Sequence, residues 1–257
     1  MKINTPTTRV SLLLAGLVLL VSACSKEWKT KSTTYYKASS ADTSAIYNQA
    51  KIKLNITEID GTDPETSAIN KRLFISACNS LYTGEKITEI KNYNDLVNSF
   101  VANYLEIKAD LKQDSLPSWE AQAQTKIAYE SPKLLNLTLD YYLFTGGAHG
   151  YGATESLLFN PENGQTYKLN ELFTSPNQLA ELLEEKFRKQ LKIPAKSSLT
   201  EAGYFFTDDK FVLPKNYIFS SKGITFHYNT YEVACYAQGP IDVFISFADL
   251  GDLFLLN

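Results

Sequence analysis

Short runs in which apolar and polar residues alternate predict several β-strands. Ile52, Leu54 and Ile56 alternate with polar residues, and the three leucines between residues 135 and 139 repeat the pattern. A period of two places the apolar side chains on one face, as in a half-buried strand. Further strand candidates, bounded by turn residues, are 119–129, 155–160, 167–169, 204–207, 211–213, 217–219, 224–228 and 241–247.

Three longer segments repeat their apolar residues every three or four positions and therefore predict helices. The first begins near Thr66, the second spans Tyr93 to Leu111, and the third follows Ser175. Asn92 or Asn94 can cap the second helix, and Ser175 followed by proline suits the start of the third. About three helices and seven or more strands without strict alternation predict an α+β fold, in which packed helices cover a mostly antiparallel sheet.

The N-terminus predicts export to the bacterial cell envelope. The apolar run from Ser11 to Val21 is too short to span a membrane and ends in small residues, as in a secretory signal peptide. Val21-Ser-Ala-Cys24 resembles the lipobox of bacterial lipoproteins, in which the cysteine becomes lipid-modified. We predict a signal peptide over residues 1–23 and a membrane anchor at Cys24, in the outer membrane because Ser25 is not aspartate. The alternative is an ordinary signal peptide with a chance cysteine, and the periplasmic or outward orientation stays open.

The segment after the predicted lipid anchor is polar. Residues 24–45 are rich in Ser, Thr, Lys and Tyr and have no sustained period. This composition predicts a flexible tether that lifts the domain off the membrane, with ordered structure beginning near Ala45.

The charge of the chain disfavours one class of partner. It has 25 Lys and Arg against 28 Asp and Glu, and removal of Lys2 and Arg9 with the signal peptide leaves 23 basic residues and a formal charge of −5. Nucleic-acid binding would need a clustered basic face, so we expect no nucleic-acid partner. A cationic partner is compatible with this charge.

Two cysteines remain besides Cys24. Cys78 and Cys235 each lie in an apolar context, and export permits a disulfide between them. Either a disulfide or two buried free thiols fits the sequence.

Glycine and aromatic residues concentrate in two segments between strand-like runs. The glycine-rich segment, residues 141–152, contains four glycines and one of the two histidines, and the second loop, residues 231–240, is aromatic and also contains glycine. Dense glycine predicts a shaped connection, and aromatic residues dominate recognition surfaces. The candidate ligand-binding residues are Tyr142, Thr145, Gly146, Gly147, His149, Tyr151, Tyr231 and Tyr236. The structural alternative is that His149 bonds its own loop and the tyrosines fill the core.

Motifs for catalysis and metal binding are absent from the sequence. It contains no Gly-x-Ser-x-Gly, HExxH or CxxC, and the glycine-rich segment lacks the lysine of a phosphate loop. We therefore expect no metal, no cofactor and a binding protein rather than an enzyme. The alternative is an enzyme acting on cell-wall glycan, which would need His149 or His227 beside a carboxylate such as Asp140 or Glu232.

Two stretches carry a family resemblance. The first reads YYLFTGGAHG over residues 141–150 and continues with Phe159-Asn160, Gly164 and LNELF, and the second, over 224–250, contains YEVACYAQG. They resemble the exported domain family that includes the extracellular domain of the lysozyme-sensing anti-sigma factor RsiV and the non-catalytic N-terminal region of PdaC-like peptidoglycan deacetylases. The resemblance covers roughly residues 45–251, with an N-terminal half over 46–160 and a C-terminal half over 161–257.

The resemblance implies an exported α+β domain of largely uncharacterised function, with lysozyme binding in one branch. We expect neither a cytoplasmic anti-sigma segment nor a deacetylase domain in this chain, so neither whole-protein function transfers directly. The sequence therefore predicts an envelope lipoprotein that binds a lysozyme-like muramidase or peptidoglycan. An envelope assembly role without a small ligand is a further alternative.

Overall fold

The structure, a computed structural model, describes residues 28–40, 48–84, 87–111 and 116–256. Within these ranges the chain forms five α-helices and two sheets, and all strand pairs but one are antiparallel. This confirms the predicted α+β class. The predicted signal peptide and the lipidation site Cys24 lie outside the described residues.

None of the helices in the described ranges combines the length and apolar character needed to cross a bilayer.

The first sheet contains five strands that lie side by side in chain order. They are β1 (Thr30–Ala38), β2 (Ala50–Ile59), β3 (Trp119–Glu130), β4 (Leu135–Phe144) and β5 (Tyr151–Phe159). Strands β2 and β3 are the parallel pair. Because parallel neighbours need a long crossover connection, the chain between them has room for the two long helices.

Helices α1 (Pro64–Leu81) and α2 (Tyr93–Asp110) form this crossover and confirm the first two predicted helices. The side chains of Asp63 and Asn92 cap their first turns by accepting backbone N–H hydrogen bonds. The apolar stripes of both helices and the alternating apolar residues of β2 and β3 bury one another in the first hydrophobic core.

The second sheet is a three-stranded antiparallel meander. It consists of β6 (Asn216–Ser220), β7 (Gly223–Tyr228) and β8 (Ile241–Ser246). The helices of this part are α3 (Leu169–Leu172), α4 (Pro176–Leu191) and α5 (Phe247–Leu250). Helix α4 is the third predicted helix, capped by Ser175 as expected, and its apolar stripe packs in a second hydrophobic core.

Three of the predicted C-terminal strands are wrong. Residues 167–169 lead into α3, and 204–207 and 211–213 lie in a loop that contains one short 3-10 turn. Tyr204, Phe206 and Phe211 of this loop pack individually into the second core, with Phe206 and Phe211 stacked at a centroid distance of 5.1 Å, whereas Phe205 is exposed. The clustered aromatic residues have the composition typical of strands, but the backbone of this loop does not pair with another strand.

The prediction of a tether up to residue 45 is also wrong, because β1 lies within it. Its nine residues pair along the edge of the first sheet, from Thr30 opposite Ile59 to Ala38 opposite Lys51. Trp28, just before β1, is buried in the first core. The side chains of β1 are mostly exposed, so the strand needs no apolar alternation and leaves no periodic signal in the sequence.

Two asparagine side chains form hydrogen bonds with the backbone of β5, the edge strand of the first sheet that faces the second sheet. The Asn229 amide accepts a hydrogen bond from the Thr154 N–H at 2.7 Å and donates one to the Thr154 carbonyl at 2.9 Å. Asn216 accepts a hydrogen bond from the Ser156 N–H at 2.9 Å. These amides satisfy backbone groups that an open edge strand would leave to solvent.

Strand β4 is buried on both faces over residues 135–139, not on one face as its alternation predicts. Its leucines face the first core, and Asn136 lies on the other face, where it accepts a hydrogen bond from the Phe219 N–H of β6 at 2.9 Å. The buried polar residue thus connects the two sheets.

Candidate functional site

The glycine-rich segment spans the end of β4, a six-residue loop (145–150, the glycine loop) and the start of β5. Gly146 and Gly147 adopt φ values of +111° and +100°, which disfavour residues with a Cβ. His149 is exposed near the end of this loop. The predicted shaped connection is confirmed, and its conformation depends on these glycines.

Tyr142 is held against the base of the same loop. Its ring lies over Gly150, where a Cβ would come within 2.4 Å of the Tyr142 Cζ. Gly150 is accordingly buried, while Tyr142 lies at the surface of the first sheet. A residue with a Cβ at this position would displace the Tyr142 ring from the base of the loop.

The second loop begins with a tight turn that forces a tyrosine into an unusual conformation. The Glu232 N–H donates to the Asn229 carbonyl at 3.0 Å, and the Glu232 carboxylate accepts from the Asn229 N–H at 2.9 Å. Tyr231, the third residue of this turn, has φ +69°. Glycine or asparagine normally occupies such a position, because bulky residues are strained there.

Three exposed rings from the two loops form one group, which we call the ring cluster (His149, Tyr231 and Tyr236). The His149 and Tyr236 rings stack at a centroid distance of 3.8 Å and an angle of 13°. Tyr231 lies 5.5 Å from Tyr236 between centroids, and its hydroxyl is 3.3 Å from His149 Nε2. The side chains remain open to solvent, with Tyr231 49% and Tyr236 41% exposed. Tertiary structure therefore unites residues 82 positions apart in sequence.

The second loop also carries a carboxylate, that of Glu232. Burial and, secondarily, the negative charge of Glu232 raise the pKa of Tyr151. The same two causes raise the pKa of Tyr217 to about 12. Both hydroxyls are protonated at neutral pH, as tyrosines ordinarily are, and can donate hydrogen bonds.

The remaining candidate residues lie around the ring cluster but contact other groups. Tyr151 packs against Tyr141 at a centroid distance of 6.2 Å. Thr145, Gly146 and Gly147 shape the glycine loop. The structure thus joins three of the predicted aromatic and histidine residues directly.

Of the two alternatives left open for Cys78 and Cys235, the disulfide is not formed, because both residues are free thiols. Cys78 is buried in the first core, and this burial raises its pKa to about 11. Cys235 is exposed in the second loop, so the alternative of two buried thiols is also wrong for this residue. The apolar neighbours Val233 and Ala234 fill the second core and leave the Cys235 side chain outside.

The histidines have partners other than the carboxylates considered in the sequence. His227 is buried, with Nδ1 2.6 Å from Asp242 Oδ1 and Nε2 3.0 Å from Asn229 Oδ1. Both its ring nitrogens are therefore engaged. Asp140 instead pairs with Lys126 at 3.1 Å, and within the described ranges no three His, Cys, Asp or Glu side chains converge as a metal site would require.

Sequence reasoning missed the asparagines that position the loops. Asn229 links Thr154 on β5 to His227 and begins the turn that presents Tyr231. The available signal was an asparagine placed next to an aromatic strand, where turn chemistry is common. That signal could not distinguish a turn residue from a buried amide with partners on another sheet.

Comparisons with known families cover both halves of the chain. A family model described as deacetylase PdaC matches residues 29–151, and one described as a protein of unknown function, DUF3298, matches residues 170–248. No curated protein matches the sequence.

Solved structures share the fold. A crystal structure of a DUF3298 family member from Bacteroides fragilis aligns with a TM-score of 0.70 at 22% identity, covering 90% of this chain and 94% of that chain. A DUF3298 family protein from Pseudomonas aeruginosa aligns with a TM-score of 0.64 at 14% identity, covering 90% and 96%. Together with the two sequence matches, these likenesses confirm the family resemblance. The chain carries a domain of the PdaC and DUF3298 type, whose function is unknown.

Proposed function

We propose that this domain is a non-catalytic binding module of the bacterial cell envelope, and that the ring cluster is its recognition surface. The observation that carries the proposal is the convergence of His149, Tyr231 and Tyr236 from two separate loops into one exposed stack. Exposed aromatic side chains with polar tips are characteristic of recognition sites.

The backbone of Tyr231 supports this assignment. A bulky residue in the left-handed region raises the free energy of the fold by about 1–3 kcal/mol, and such strain concentrates at functional sites. Tyr231 has φ +69° and is 49% exposed, so its ring gains little from core burial in return. Binding through this ring would account for the presence of tyrosine at a position whose backbone conformation favours glycine.

The anchor at Cys24 would present the ring cluster away from the membrane. Three residues separate Cys24 from the buried Trp28. Strand β1 begins at the end of the first sheet where Thr30 pairs with Ile59, and the glycine loop lies at the opposite end. Strands of this length span about 30 Å. A lipid in the outer membrane would hold the domain close to the bilayer, with the site facing outward from it.

The partner that we propose is a lysozyme-like muramidase, with peptidoglycan as the second candidate. The formal charge of −5 on the processed chain and the Glu232 carboxylate near the loops favour a cationic protein. The absence of catalysis is part of the proposal: His149 stacks on tyrosine, and His227, although it pairs with the Asp242 carboxylate, has its Nε2 bonded to Asn229.

Binding measurements on the full chain in mild detergent test the proposal, with hen lysozyme and purified peptidoglycan as probes. We expect saturable binding that weakens about 30-fold or more in Tyr236→Ala, as for a residue at the centre of an interface. Tyr36→Ala is the matched control, because Tyr36 is 53% exposed on β1 at the far edge of the sheet. Equal binding by both variants would refute the site. Co-purification of another envelope protein without binding to either probe would favour an assembly role.

A further inference from the structure

A cleft separate from the ring cluster lies between the two sheets, beside helix α1. It is a cleft of about 430 Å³ at the junction of β5 and β6. Buried Leu158 and Leu172 line it with apolar surface, and the rings of Tyr167 and Tyr217 line it with aromatic surface. Its volume and mixed lining are those of small-molecule sites, which combine apolar walls with a few polar groups. None of the ring-cluster residues lines it.

The charges in this cleft leave one cation without a counterion. Arg72 Nη2 lies 3.4 Å from Glu155 Oε1, and the same oxygen accepts a hydrogen bond from Ser76 at 2.9 Å. Glu155 is thereby neutralised by a residue of α1. Lys215 lines the cleft at the start of β6, and in the described parts of the chain it has no ion-pair partner. The charged lining residues sum to one positive charge, and the carboxylates of Glu232 and Glu162 lie outside the lining but close enough to raise the pKa values of Tyr217 and Tyr167.

Hydrogen-bonding groups surround this positive charge. The Tyr217 hydroxyl is protonated at neutral pH, as in an unperturbed tyrosine, and burial together with the charge of Glu232 raises its pKa further. Thr154 and Thr166 also line the cleft, and the Thr154 hydroxyl donates a hydrogen bond to Asp140 Oδ1 at 2.8 Å. A ligand that matches this lining has one negative group, several hydrogen-bonding groups and some apolar surface.

We propose that the cleft binds a small organic carboxylate about the size of one sugar ring or a dipeptide. Lys215 would form a charge-assisted hydrogen bond with the carboxylate, and the tyrosine rings would pack on the body of the ligand. The cleft shares no lining residue with the ring cluster, although Asn229 lines the cleft and begins the turn that presents Tyr231, and the proposal does not depend on which partner the ring cluster binds.

The test compares two sugars that differ by one carboxylate. Calorimetry on the full chain in detergent would use N-acetylmuramic acid and N-acetylglucosamine, which shares its ring but lacks the lactyl carboxylate. We expect the acid to bind about tenfold or more tightly, the contribution of one charge-assisted hydrogen bond. Equal affinity for the two sugars, with alanyl-alanine also failing to bind, would overturn the proposal. Binding of alanyl-alanine but not of the acidic sugar would support the site and would show that the ligand's carboxylate belongs to a peptide.

Two substitutions separate the cleft from other surfaces. Lys215→Gln should abolish the preference for the carboxylate, whereas Lys222→Gln, an exposed lysine in the turn after β6, should keep it. Tyr236→Ala should also retain the preference for the carboxylate. The experiment therefore distinguishes failure of the proposal for the cleft from failure of the proposal for the ring cluster. Unchanged acid binding in Lys215→Gln, confirmed as folded by circular dichroism, would refute the role of this lysine.

Discussion

Replacing Asn136 by alanine tests whether the two hydrophobic cores form one cooperative unit. Asn136 is fully buried on β4 between the cores. Its Oδ1 accepts the Phe219 N–H at 2.9 Å, and its Nδ2 donates to the Ser156 hydroxyl at 2.8 Å and to backbone carbonyls. Alanine removes all these hydrogen bonds together with the link from β4 to β6.

The magnitude follows from the groups left behind. Phe219 is 2% exposed, so its N–H would lose a partner in a place that water does not readily reach. One buried unsatisfied donor costs about 1–3 kcal/mol, and each further hydrogen bond contributes about 1 kcal/mol. We expect Asn136→Ala to lower the free energy of unfolding by about 3 kcal/mol. For a chain of this size, that loss corresponds to a decrease of roughly 6–12 °C in Tm.

Urea unfolding with two probes measures this effect. Both tryptophans, Trp28 and Trp119, lie in the first core, so their fluorescence reports that core. Amide hydrogen exchange in β7 reports the second core. We expect coincident transitions in the parent chain and a separate, earlier loss of β7 protection in Asn136→Ala.

The control is Asn55→Ala, because Asn55 makes an exposed hydrogen bond to Thr34 at the surface of the same sheet. It should change the stability by less than 0.5 kcal/mol, roughly the limit for surface substitutions. A loss below about 1 kcal/mol in Asn136→Ala, with transitions still coincident, would refute the role of Asn136 as the connection between the cores.

Two further predictions concern the cysteines and one turn. A maleimide should label Cys235 in the folded protein and Cys78 only after unfolding, because Cys78 is buried and its pKa is raised to about 11. Peptide mass spectrometry measures both labelling rates, and equal rates would contradict the burial of Cys78. Gly164→Ala should lower the stability by about 2 kcal/mol or more in thermal melts, because Gly164 has φ +67° and its Cβ would come within 2.4 Å of the Glu65 carbonyl oxygen. Gly203→Ala keeps a positive φ of +93° without a steric neighbour, so a loss as large as that of Gly164→Ala would rule out the clash as the cause.

The helices were predictable because each one carries a local signal. Apolar residues repeat at the helical period in α1, α2 and α4, and Ser175 identifies the start of α4. Strand β1 was not predictable in this way, since an exposed edge strand requires no apolar period. The strands predicted between α4 and β6 were wrong for the opposite reason. Aromatic residues there pack individually into the core from a loop, so their apolar composition does not reflect backbone pairing.

The candidate site was only partly predictable. The glycine-rich segment and the aromatic second loop are visible as composition, and His149, Tyr231 and Tyr236 were among the predicted residues. The stacking of these rings depends on how β5 packs against the second sheet. Hydrogen bonds from the β5 backbone to the side chains of Asn216 and Asn229 hold the two together. Such long-range hydrogen bonds leave no periodic trace in the sequence. The cleft around Lys215 was missed for the same reason, since its lining comes from α1, β5 and β6.

The sequence by itself determined the α+β class, the three main helices, most strands and the two loops rich in glycine and aromatics, because these depend on local periodicity and backbone preference. Only the tertiary structure decided which faces of β4 are buried, that Cys78 and Cys235 stay apart, and that two distant loops share one exposed ring cluster. The physical reason is that packing and hydrogen bonding between the sheets depend on residues up to 83 positions apart, as in the bond from Phe219 to Asn136. Local pattern determines which segments become elements, and their contacts determine which surface can bind.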